Sequence, residues 1–419
     1  MPERLSKLLN KQNTNLFVYG LGQGFNLITP LLVVPYIVSI CGIENYGKVS
    51  IGMAISFFLM VFIDYGSDII GVKDIAVNRE NKDALEKIFI TTFTSKLILL
   101  VGVIGSTAVL FLYVPFFNTE KALFFLGLPI LLGQCINPTW FLQGIENFKW
   151  ITILTIISKL IYLIGIFFFI HQENDYIYIN LWWGIGTVLA NGFTTLYFIN
   201  KKGFSFKKLQ KQEVLALLRG NFSMFTSQIF VSLQMYAPIM LIGFFGNNLM
   251  AGQYKIVEQI IVVFKTYIYL FFNFVYPRVC YLLEKSTKEG LRFWKTYNGI
   301  NFVFIAVSMV VIYIFSTQAV AYFSKTDVVE ISSLLDWAVL IPLFLAISIP
   351  LKQLILGLNQ QRFYIQITTT MVVVNLVLMV VLLPHYKLYG VFITLILTEA
   401  ATIAIYYFNL RNKIRPQIT

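Results

Sequence analysis

Apolar runs long enough to cross a lipid bilayer recur along nearly the whole of this 419-residue chain. Twelve blocks fall at about 15–40, 46–65, 88–113, 121–142, 150–170, 178–199, 222–246, 252–276, 296–317, 332–356, 363–383 and 387–408. Each is roughly 18–25 residues long, which is what an α-helix needs to span a hydrocarbon core about 30 Å thick. Inside lipid the backbone must satisfy its own hydrogen bonds, so every block is predicted to be helical. With 58% hydrophobic and 12% charged residues, the chain lacks the polar surface of a dissolved monomer. The expected fold is an all-α integral membrane protein of about twelve transmembrane helices.

A net charge of +12 raises the question of nucleic acid, and the placement of the charge answers it. With a cytoplasmic N-terminus, 23 of the 32 Lys and Arg fall in the inner segments, five in the outer loops and four inside spans. That is the bias that orients membrane proteins, and it leaves no basic face for a nucleic acid. Both termini are therefore expected in the cytoplasm. The polar start, Met1 to Asn15, has no small-residue cleavage site, so no removable signal peptide is expected.

The longest inner loop, Asn200–Gly220, is basic and follows the sixth block. It predicts two six-helix lobes, 1–205 and 206–419, around a central cavity. An even number of spans per lobe makes both enter from the same side, as parallel repeats do in two-lobed transporters.

Ionisable groups inside spans are costly unless they face a partner or water, which makes them candidates for function. Lys96, Lys159, Glu258, Lys265, Lys352 and Glu399 lie within blocks, and Asp64 closes the second. Lys96 and Lys352 are near enough to block ends to snorkel. Lys159 is not, having apolar runs on both sides. Glu258 and Lys265 are seven apart, two helical turns, and share a face. Lys159 and Lys265 are expected to face a hydrated cavity, with Asp64, Glu258 and Glu399 as coupling or charge-pair partners. The first block adds polar Gln23 and Asn26 to a face bearing Gly20, Gly22 and Gly24. Pro30 and Pro35 each remove a backbone donor and favour a bend.

Cys41, Cys135 and Cys280 have no metal spacing and read as small core residues, and His171 and His385 as solvated loop residues. Neither a glycine-rich phosphate loop nor a metal-binding cluster is visible, and the outer loops are too short to scaffold a catalytic site. No enzyme activity, cofactor or metal is expected.

The stretch Tyr19–Asn26 with Pro30 and Pro35–Tyr36, then Gly42–Gly47, resembles the opening of bacterial O-antigen and polysaccharide flippases. So do Asp64–Tyr65–Gly66, Asp74–Ile75–Ala76 with Arg79, and above all Pro138–Glu146, reading PTWFLQGIE. Tyr254, Glu258 and Tyr276–Pro277 resemble the family's eighth helix. The resemblance implies an inner-membrane flippase that turns an oligosaccharide on an undecaprenyl diphosphate carrier from the cytoplasmic to the periplasmic leaflet. It implies lipid-linked oligosaccharide, membrane lipids and the polysaccharide polymerase machinery as partners. The family usually has a basic residue beside the glutamate that Glu258 matches, and Val257 and Gln259 flank it here, with Lys265 as the expected substitute. The substrate-binding candidates are thus Lys159, Lys265, Gln23, Asn26, Lys96 and Lys352. A cation-coupled small-molecule or multidrug antiporter of the same fold is the alternative, which the basic span residues and the PTWFLQGIE motif disfavour.

Overall fold

A computed structural model describes residues 2–205 and 211–418, with residues 2–17, 19 and 413–418 described by backbone alone. The side chains of Tyr19, Arg4, Lys7, Lys11, Lys413 and Arg415, and the loop residues Lys207 and Lys208, lie outside the described residues. Among the described residues the chain is helical throughout, with no strand. The order is α1 (Pro2–Asp64), α2 (Ile70–Val77), α3 (Lys82–Tyr113), α4 (Lys121–Leu126), α5 (Leu128–Cys135), α6 (Thr139–Gly144), α7 (Phe148–Phe169) and α8 (Ile179–Lys202). There follow α9 (Lys211–Phe245), α10 (Asn248–Lys285), α11 (Thr287–Ile314), α12 (Ser316–Phe323), α13 (Val328–Ala338), α14 (Leu340–Gly357) and α15 (Gln361–Ile418).

Nine helical stretches among the described residues are long and apolar enough to cross a membrane. Two of them are double. α1 turns at Gly42 (φ 80°, ψ 165°), and α15 at Lys387 (φ 50°, ψ −138°). With α8, whose polar Asn180, Thr187, Asn191, Thr194 and Thr195 dilute its hydropathy, the expected twelve spans are accounted for. The turn at Gly42 needs left-handed backbone, which glycine adopts without strain. α1 continues through Pro30 and Pro35, so the break falls seven residues beyond the second proline.

Two of the expected unbroken spans are segmented. The block at 121–142 is built from α4, α5 and α6, with Pro129 in the first turn of α5 and Pro138 just before α6. Proline is tolerated where a helix starts because that N–H would be unpaired anyway, so the chain restarts its helix twice. The block at 332–356 is divided between α13 and α14. Elsewhere side chains mark the starts: Asn81 accepts from the Ala84 amide (3.1 Å) and Asn247 from that of Met250 (2.8 Å).

The chain forms two compact units, Met1–Tyr236 and Ala237–Thr419, the divide falling within α9 just before Pro238. In the first unit α7 packs on α8 and α1, and α5 on α8. In the second, α14 packs on α15, α10 and α11. Large apolar side chains point outward, Phe168 at 72% exposure and Phe274 at 78%. Such patches would be a liability in water and are what helices present to lipid.

Candidate functional site

The predicted span lysines of the first unit, Lys96 and Lys159, lie in two separate places. α7 and α8 approach so closely that a Cβ on Gly186 would lie 2.5 Å from the Ser158 carbonyl oxygen, and one on Gly165 would strike the Trp182 ring. This contact sets Lys159, the residue after Ser158, against α8. Its Nζ lies 3.4 Å from the centre of the Trp183 ring. Lys159 is only 8% exposed, and among the described residues no carboxylate pairs with it. Tyr162, one turn along α7, meets Trp183 edge-on at 5.1 Å, and Phe57 of α1 lies 5.6 Å from the same ring. A buried ammonium resting on an aromatic face retains N–H donors for an acceptor.

Lys96 behaves differently from expectation. It does not snorkel; it is 2% exposed, and its Nζ lies 2.8 Å from Asp64 Oδ1. The Gln134 amide donates to Asp64 Oδ2 (2.6 Å) and accepts in turn from Asn137 (3.2 Å). Asn137 Oδ1 accepts from the backbone and hydroxyl of Thr139 at the start of α6. A turn with two left-handed residues, Tyr65 (φ 46°) and Gly66 (φ 77°), follows Asp64. In it Tyr65 stacks on Phe225 at 4.3 Å. Lys96–Asp64 is thus a buried ion pair whose carboxylate also accepts from Gln134 through its other oxygen.

Gln23 and Asn26 bond weakly to each other at 3.5 Å. Gly22 packs on Thr152, whose hydroxyl donates to the Val18 carbonyl (2.8 Å). Gly20 and Gly24 face open space and, with Leu21, Phe25 and Ile28, line an apolar cavity of about 300 Å³.

In the second unit, Lys255 Nζ lies 2.6 Å from Glu258 Oε2. The cation expected beside Glu258 is therefore Lys255, one turn earlier, with Lys265 also in its field. Lys255 lies at the start of the eighth apolar block, and α10, which starts at Asn248, carries it inside the helix. Lys265 feels Glu258 and Glu399 together. Glu399 of α15 bonds to Ser348 of α14 and lies in the fields of Lys265 and Lys352. Lys352 sits over the rings of Tyr364 (4.7 Å) and Phe272 (5.5 Å). Four predicted residues from three helices thus share one electrostatic cluster with Lys255, three lysines against two glutamates.

The most specific motif does other work. Trp140 packs on Gly71, and Gly144 lies under Ile75, so the PTWFLQGIE and Asp74–Ile75–Ala76 segments lock α6 onto α2. Glu146, at φ 57°, pairs with Arg79 (3.1 Å). These contacts hold α6 on α2, with Arg79–Glu146 as an exposed ion pair beside them. Sequence reasoning missed Trp183, Lys255 and Ser348. The tandem Trp182–Trp183 in the sixth block is the signal for the first, two large rings with polar N–H groups inside one span.

The family described as Polysaccharide biosynthesis protein has a sequence model that matches residues 13–282. The chain belongs to this family. Among its relatives it is similar to a "Putative O-antigen transporter" of Escherichia coli (strain K12), 26% identical over 278 residues, 66% of this chain and 67% of that one. It is also similar to a protein of the same description from Shigella dysenteriae, 22% identical over 387 residues, 92% of this chain and 96% of the relative. Among solved structures it resembles a lipid II flippase in an inward closed conformation. That likeness has a TM-score of 0.72 at 15% identity and covers 94% of this chain and 87% of the other. An inward-facing multidrug transporter matches with a TM-score of 0.71 at 13% identity, covering 94% of each chain. At such identities the likeness shows the fold: this member of the family is a multi-pass helical membrane protein of the transporter type.

Proposed function

We propose that this chain flips an undecaprenyl-diphosphate-linked oligosaccharide from the cytoplasmic to the periplasmic leaflet of the bacterial inner membrane, by alternating access of its two lobes. The product would feed O-antigen or polysaccharide assembly and its polymerase. Both termini lie in the cytoplasm in this reading. The observation that carries it is Lys159: a buried ammonium resting on Trp183 with no carboxylate partner among the described residues. A diphosphate cannot enter hydrocarbon bare, and an uncompensated cation offsets its desolvation. In the second unit Lys265 and Lys352, with Gln23 and Asn26 in the first, are the further substrate contacts of this reading. Glu258 and Glu399 offset part of the lysine charge when the site is empty. No covalent chemistry is involved, in keeping with relatives described as transporters.

The alternative is a cation-coupled antiporter of small molecules, supported by the likeness to a multidrug transporter and by the carboxylates Glu258 and Glu399. An unpaired lysine is a poor lining for a cationic drug, which favours the flippase. Deletion of the gene should leave the lipid-linked repeat unit on the cytoplasmic side and stop polysaccharide export, with drug sensitivity unchanged. In the deleted strain, Lys159→Ala at normal membrane abundance should restore little export and Lys159→Arg much of it, since the field survives the second change. Full export with Lys159→Ala would remove the main support for this reading.

A further inference from the structure

The aromatic groups around Lys159 form a continuous array from four helices. Trp183 of α8 contacts Tyr162 of α7 and Phe57 of α1, and Phe57 in turn lies 5.8 Å from Tyr236 of α9. Tyr162 is buried, whereas Trp183, Phe57 and Tyr236 keep part of their surface uncovered. Rings packed only to stabilise a core would be covered on all sides, as Phe89 and Phe141 are in the same unit. Here a row of partly exposed aromatic residues begins at a buried lysine that no carboxylate pairs with among the described residues.

We infer that Lys159 and the ring faces of Trp183 and Phe57 form one composite subsite, the ammonium for phosphate oxygens and the aromatic shelf for the first sugar joined to them. This rests on the flippase reading and adds to it the residues that read the saccharide. A pyranose carries an apolar face of C–H groups whose slight positive charge complements the negative face of an aromatic ring. In a glycosyl diphosphate the anomeric carbon is bonded directly to a phosphate oxygen, so sugar and anion arrive side by side. The structure offers acceptor surfaces in that arrangement, with Nζ 3.4 Å from the Trp183 ring and Phe57 5.6 Å beyond it. The second unit's Lys352 also sits over two rings, but there Glu399 shares its field, whereas no carboxylate pairs with Lys159 among the described residues.

The test uses the full chain purified in detergent and two probes, a polyprenyl diphosphate bearing one N-acetylglucosamine and the same lipid diphosphate without sugar. Binding is measured by calorimetry, and thermal unfolding confirms that each variant is folded. The wild type should bind the glycosylated probe more tightly. Lys159→Gln should weaken both probes by about tenfold or more. Trp183→Leu and Phe57→Leu should weaken the glycosylated probe by about five- to tenfold and the sugarless probe by less than about twofold. Trp183→Phe should keep most of the preference. Phe57→Leu leaves the Lys159–Trp183 contact intact and decides the matter if Trp183→Leu does not fold. Equal binding of both probes by the wild type, or an unchanged preference in folded Phe57→Leu, would overturn the shelf. Failure of the wild type to bind either probe would overturn the flippase reading itself.

Discussion

Lys96 and Lys159 are both lysines inside apolar blocks, and the fold uses them in opposite ways. Lys96 meets Asp64 at 2.8 Å and is neutralised. Lys159 meets a ring and remains a free charge. Removal of one partner from the first arrangement strands a buried ion, which costs about 3–5 kcal/mol. Lys96→Met and Asp64→Asn should each lower the melting temperature of the purified protein strongly. The double variant should recover a large part of the loss, because no charge is then left unpaired. Additive losses in the double-mutant cycle would mean that the two side chains do not act as a pair. Lys159→Met, by contrast, should cost little stability, since it removes an ion that had no ion to strand.

At the scale of helices, small residues decide how close the backbones come. Gly186 against Ser158 is the contact that aims Lys159 at Trp183. The obstructing atom is a backbone oxygen, which cannot swing aside as a flexible side chain would. Gly186→Val should therefore separate α7 from α8, destabilise the protein by about 1–3 kcal/mol and lower export at matched abundance. Gly24→Ala makes the comparison: nothing lies within 4 Å of its would-be Cβ. A helix-interior alanine there should be neutral or stabilising by up to about 1 kcal/mol. Melting curves of the two variants measured together check the contrast, and equal effects would show that the α7–α8 contact is not tight. The same logic explains the PTWFLQGIE segment, where Gly144 accommodates Ile75 and Gly71 accommodates Trp140. Its specificity as a motif comes from packing of α6 on α2.

For the whole molecule, the distribution of basic residues makes a prediction independent of any side-chain contact. A cysteine placed at Lys325, between α12 and α13, should react with a membrane-impermeant thiol reagent in intact spheroplasts. One placed at Lys201, at the end of α8, should react only after the membrane is opened. The native Cys41 and Cys135 are buried, and the part-exposed Cys280 is replaced by Ser in both variants to keep the background low. The reverse pattern would invert the protein, and labelling of both from outside would mean a miscounted span. The boundary between the two compact units falls within α9, so the end of α8 and the start of α9 belong to the first unit. There the Ser205 amide donates to Glu86 (2.8 Å), and Phe204 is buried with Phe89 and Phe141.

The amino-acid sequence by itself determined the class, the number of spans and their expected orientation. These follow from the length of apolar runs and the side on which lysines collect, properties that do not depend on which helix touches which. It also marked the costly residues, because a charge inside a span is visible without coordinates. What each of those charges does was decided by the tertiary structure. Asp64 and Lys96 are 32 positions apart, Lys159 and Trp183 are 24 apart, and Ser348 and Glu399 are 51 apart. No local periodicity encodes such pairings; they depend on which faces of different helices are packed together. Burial makes the difference physical: in lipid an ion must find an anion, a ring or a ligand, and only the packing settles which one is within reach.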